Sequence, residues 1–139
     1  MEKYIKSTLK NTDGKKTIRL LIDSKQLVNG QEFEDRFECR AQMYIKNGAV
    51  YIVYTHEDET CSVKAAGGHV VILRCQSGSR IELECGREYT SLYSGLELRA
   101  AASTVDNRLC TDNILTLRYR LSVGGTESEN TVIIKTEEI

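Results

Sequence analysis

Between positions 32 and 41 the chain alternates strictly. Phe33, Asp35, Phe37, Cys39 and Ala41 fall on one side, and Glu32, Glu34, Arg36, Glu38 and Arg40 on the other. A period of two with one mostly apolar and one charged side marks a β-strand that is buried on one face and solvated on the other. The pattern recurs three times. Ile81, Leu83 and Cys85 oppose Arg80, Glu82 and Glu84, and Leu96, Leu98, Ala100 and Ala102 oppose Glu97, Arg99 and Ala101. Leu115, Leu117, Tyr119, Leu121 and Val123 oppose Thr116, Arg118, Arg120 and Ser122. Residues 69–73 and 132–134 are apolar at consecutive positions, as in strands with cover on both faces.

Proline is absent, so the turns fall to Gly, Asn, Asp and Ser. Asn29-Gly30, Asn47-Gly48, Gly67-Gly68, Ser77-Gly78, Ser94-Gly95 and Gly124-Gly125 separate the alternating segments. Asn47-Gly48 is the clearest, because a two-residue type I′ turn needs positive φ at both positions, and strand-like residues flank it on each side. The spacing predicts about nine or ten strands in one meander. Helical periodicity is weak everywhere except residues 2–10, where Ile5 and Leu9 share a helical face; residues 1–12 read as a flexible or accessory arm, or an extra strand.

Strands that each keep one wet face must hide the other, in a two-sheet sandwich or a closed barrel. A chain without edge-protecting proline favours closure. The expected fold is therefore all-β, a single domain over residues 1–139, with one antiparallel meander closed into a barrel of about 8–10 strands. Phe33, Phe37, Ile81, Leu83, Leu115, Leu117 and Leu121 are expected to point inward.

Charge narrows the function classes. Lys plus Arg number 19 against 20 Asp plus Glu, so no basic excess points to nucleic acid. No apolar run approaches the ~18 residues of a transmembrane helix, and Met1 is followed by polar sequence instead of a signal-peptide core. A soluble, cytoplasmic protein is expected. Five cysteines, at 39, 61, 75, 85 and 110, are an odd number with no CxxC or CxxxC pair, so neither a zinc knuckle nor a thioredoxin-type motif is present. They read as reduced thiols packed like small apolar side chains.

Motifs for nucleotide, metal or nucleophile chemistry are missing, so neither an enzyme nor a cofactor is expected. Glu57-Asp58-Glu59 reads as a solvated loop rather than a metal site, and His56 and His69, next to turns, as solvated side chains rather than haem ligands.

Polar residues on apolar faces are the remaining candidates, since a buried donor must be satisfied or must face water or ligand. Four stand out: Asp35, Tyr54, Arg74 and Tyr119. In the structural reading Asp35 and Arg74 pair or reach the barrel rim, and the tyrosines are core residues. In the functional reading Arg74, helped by tyrosine hydroxyls, holds the anionic head of an amphipathic ligand in an apolar cup, while Arg118 and Arg120 stay in water. Small wall residues such as Ala41, Ala65, Ala100 and Ala102 imply either a flattened barrel whose walls touch or a cavity.

From about residue 17 to 138 the chain resembles the YwiB-like family. The likeness rests on Tyr51-Ile52-Val53-Tyr54-Thr55, on Val70-Val71-Ile72-Leu73-Arg74 followed by Gly78, on Tyr93-Ser94-Gly95-Leu96-Glu97-Leu98, and on Leu115-Thr116-Leu117-Arg118-Tyr119-Arg120-Leu121. The resemblance implies a calycin, or lipocalin-like, β-barrel of a kind found in small bacterial proteins of unassigned function. A fold is not an activity. Two functions follow as expectations: an intracellular barrel binding a small apolar or amphipathic molecule, or a filled barrel serving as a protein-interaction or structural module.

Overall fold

Asn47 and Gly48 adopt the positive φ values, 53° and 80°, that a tight hairpin requires, and they join β2 (Gln31–Lys46) to β3 (Ala49–His56). The computed structural model describes residues 14–139, so the expected N-terminal arm lies outside the described residues. Before this hairpin comes β1 (Lys16–Val28), and after it β4 (Glu59–Ala66), β5 (His69–Arg74), β6 (Ser79–Glu84) and β7 (Glu88–Tyr93). β8 (Leu96–Arg108), β9 (Ile114–Val123) and β10 (Thr126–Glu138) complete ten strands in a single sheet.

Every ladder is antiparallel, and the first and last strands pair with each other, Leu20 opposite Thr136 and Ile22 opposite Ile134. The meander thus curls into a nearly closed, lipocalin-like barrel whose seam lies between β6 and β7 rather than at the chain ends. No backbone ladder joins those two strands. Side chains bridge the seam instead: Ser91 Oγ donates to the Arg80 carbonyl at 2.9 Å, and the Tyr89 hydroxyl to Glu84 Oε1 at 2.6 Å. A single bridge between Cys85 and Ala102 ties β8 to the end of β6.

An up-and-down path places the β1–β2, β3–β4, β5–β6, β7–β8 and β9–β10 turns at one end of the barrel. The opposite end is closed, with Leu109 1% exposed and Asn107 Nδ2 donating to the Gly67 carbonyl at 2.9 Å. Inward side chains from the strands meet in one cluster that includes Ile18, Leu20, Ile52, Val63, Leu83, Leu115 and Leu117. Ala41, Ala65, Ala100 and Ala102 are buried in the same cluster, so the small residues let the walls approach each other. Ile81 and Leu121 pack against its edge.

Phe33 departs from expectation. It is 51% exposed, although its strand parity is right. β2 pairs with β1 from Gln31 to Met43 but with β3 only from Gln42 to Lys46, so its first half overhangs the barrel with no wall opposite. Phe37, farther along, is half-buried, its ring 4.0 Å from that of His56 and 6.0 Å from that of Tyr54. A second departure is in β8, where the register shifts between Ala102 and Thr104. The bulge moves the inward face from even positions to Val105 and Leu109.

None of the five cysteines forms a disulfide, but only Cys61 is fully buried, and Cys75, Cys85 and Cys110 are exposed. The expectation of five packed thiols is corrected, because residues 75, 85 and 110 fall in or beside turns. Burial pushes the Cys61 thiol up from its ordinary range. Native alkylation should therefore modify Cys75 and Cys85 at least about tenfold faster than Cys61, followed by peptide mass spectrometry. Equal rates would contradict the buried position.

Candidate functional site

Four strands carry one inward row: Tyr54 registers with Cys61, Cys61 with Arg74, and Arg74 with Ser79. The row lies at the open end of the barrel, one step below the β3–β4 and β5–β6 turns. Parity puts the Arg74 side chain on the inward face, shared with Val70 and Ile72, and its place as the last residue of β5 puts its head at the mouth.

A carboxylate meets it there. Arg74 Nε donates to Glu59 Oε1 at 2.6 Å, and the Ser77 backbone N–H donates to Glu59 Oε2. Glu59 is only 8% exposed. The hydrogen bonds from Ser77 and then from Arg74 hold its carboxyl down to about 2. Arg74 Nη2 also lies 3.5 Å from Glu57 Oε1. The contacts favour the charged form of the guanidinium, chiefly through the Glu59 hydrogen bond.

The reading of residues 57–59 as a solvated loop is thus half corrected. Glu57 and Asp58 are an exposed turn, with positive φ of 53° and 61°, but Glu59 is the buried brace between two turns. Its signal was the alternation Glu59, Cys61, Val63, Ala65, which continues the inward face of β4 to the carboxylate.

Beside this cluster opens a cleft of 390 Å³, at the top of the seam. Ile81 of β6 forms one apolar wall, and Leu98, Leu121 and Val123 of β8 and β9 form the other. Tyr93, Ser77 and Ser79 add polar atoms near Arg74. A larger cleft of 690 Å³ lies among Asp23, Lys25, Glu34 and Arg36 of β1 and β2. Arg36 pairs there with Asp23 at 2.6 Å and Lys25 with Glu34 at 3.7 Å, and exposed Asp35 and Arg118 complete the charged lining, which makes it a solvated polar face with little apolar wall.

Of the four candidates from the sequence, Tyr54 and Arg74 come together in the row described. Burial pushes the Tyr54 hydroxyl well above its ordinary range. Tyr119 is buried in the core beneath Leu121, and burial raises its hydroxyl to about 12. Asp35 is exposed on the β2 overhang, so it does not pair with Arg74. Arg118 and Arg120 are exposed, the latter 3.1 Å from Glu129.

Among the described residues no group of three His, Cys, Asp or Glu side chains is arranged to hold a metal ion, and no helix is long and apolar enough to cross a membrane. No curated protein matches the chain significantly. A crystal structure of the ywiB protein from Bacillus subtilis matches with a TM-score of 0.72 at 17% identity, covering 96% of this chain and 98% of that one. That likeness shows a shared fold. Residues 20–134 match the family described as a domain of unknown function, DUF1934, and the chain belongs to that family.

Proposed function

We propose that the protein is a non-enzymatic binding barrel of the cytoplasm that seats a small amphipathic molecule in the mouth cleft rather than in the filled interior. The carrying observation is the convergence of an apolar pair of walls, Ile81 facing Leu98, Leu121 and Val123, on one side of the fixed Arg74–Glu59 pair. An amphiphile needs such a site: apolar surface for its tail and a few oriented polar groups for its head. The volume of 390 Å³ falls in the range of small-ligand pockets. The seam supports the reading, because a wall bridged by side chains opens at lower cost than a full backbone ladder. The thiols of Cys39, Cys61, Cys75 and Cys85 accord with a reducing compartment.

Titration with Nile red, an uncharged fluorophore whose emission reports apolar surroundings, tests the reading. Saturable binding is expected in the wild type. Val123→Asp should weaken it at least about tenfold by placing a charge in the apolar wall. Leu27→Asp, on the exposed overhang, should leave it unchanged. Absence of saturable binding, or equal loss in both variants, would favour the interaction-module reading. That reading has its own support in Leu27 and Phe33, 43% and 51% exposed on the same hairpin.

A further inference from the structure

We infer that the mouth cleft takes an amphiphile with an uncharged polar head, and that Glu57 is the residue that turns anionic heads away. The inference rests on the cleft being the ligand site. Its charged lining consists of Arg74, Glu57 and Glu59, which leaves a net charge of −1 where a fatty acid would need a positive excess. Arg74 is the sole cation of that lining, and its charge is already met twice.

Glu59 cannot move aside. It is buried, and it holds both the Arg74 guanidinium and the Ser77 amide, so an incoming carboxylate that took its place on Arg74 would leave the Ser77 amide and the buried Glu59 charge without partners. Glu57 is different. At 3.5 Å its contact with Arg74 Nη2 is loose, and its side chain is 73% exposed. It meets Nη2, on the part of the guanidinium that Glu59 does not hold through Nε and that can still donate to a ligand. An anionic head must compete with this tethered carboxylate for the same donors and remain beside Glu59.

A carboxamide or hydroxyl head pays no such penalty. It can accept from the remaining guanidinium N–H groups and donate to Glu57, Ser79 or Tyr93 around the rim. Glu57 belongs to the tight β3–β4 turn, where it and Asp58 both take positive φ, 53° and 61°, so it is carried at the rim of the mouth beside Arg74.

Two probes of equal length separate the cases: 11-dansylaminoundecanoic acid and its primary amide, titrated at pH 7 into wild type, Glu57→Gln and Leu27→Asp. The wild type should bind the amide about tenfold tighter than the acid. Glu57→Gln should tighten the acid about threefold, with a weaker salt dependence, and leave the amide within twofold. Leu27→Asp should match the wild type for both. Acid binding equal to or tighter than amide binding would overturn the head-group assignment while leaving the cleft as the site. Equal shifts of both probes in Glu57→Gln would overturn the role of Glu57. Binding of neither probe would overturn the ligand reading itself.

Discussion

Leu117→Ala should lower the unfolding free energy by about 2–5 kcal/mol, whereas Phe33→Ala should change it by less than about 0.5 kcal/mol. Both residues lie on the inward parity of a strand, and on periodicity alone the larger aromatic would be the costlier loss. Their surroundings decide otherwise. Leu117 is 0% exposed and sits where β9 is flanked by β8 and β10, with the opposite wall packed against it. Truncation there leaves a cavity that the ladders on both sides prevent from collapsing. Phe33 projects from a strand that has β1 on one side and no β3 partner on the other, so its removal exposes little that was covered. Urea unfolding with an unchanged m value checks the pair. Comparable losses for the two substitutions would mean that the overhang is covered in solution.

The contrast shows which parts of the structure could be read along the chain. Local rules specify a strand: alternation at 115–123 gives β9 its inward face, and Asn47-Gly48 gives its hairpin. The extent of the barrel wall is not local. Whether Phe33 is inside depends on where β3 stops pairing with β2, at Gln42, and that is set by the length of another strand.

The same reason hid the centre of the site. Arg74 was legible as a cation among apolar neighbours, but its partner depends on a turn 15 residues earlier, and the Ser77 amide that fixes Glu59 lies 18 residues away. Only the fold brings these three together. The β3–β4 turn also escaped the turn signals, because Glu57 and Asp58 take the positive φ values that Asn-Gly takes in its neighbours. The bulge at Ser103 was equally silent, since a run of Ala, Ala, Ala, Ser offers either parity for burial.

Glu59→Gln should destabilise the protein at neutral pH by an amount that disappears in acid. Glutamine keeps the volume and still offers its side-chain carbonyl to the Ser77 amide, but it removes the charge that Arg74 meets. In the folded wild type the Glu59 carboxyl is held down to about 2, below the roughly 4.3 of an unfolded chain. A depressed carboxyl contributes stability that is fully present above its unfolded value and is lost as pH falls through its folded one. The gap between wild type and Glu59→Gln should therefore stay constant from about pH 7 to 5, narrow below about 4.3 and close near 2. Glu82, Glu84 and Glu138 are also depressed, but they are present in both proteins and cancel in the difference. Urea midpoints measured in parallel across this range provide the test. A gap that persists at pH 2 would assign the loss to packing at the mouth, and the charge pairing of Glu59 with Arg74 would no longer account for how the two turns are held together.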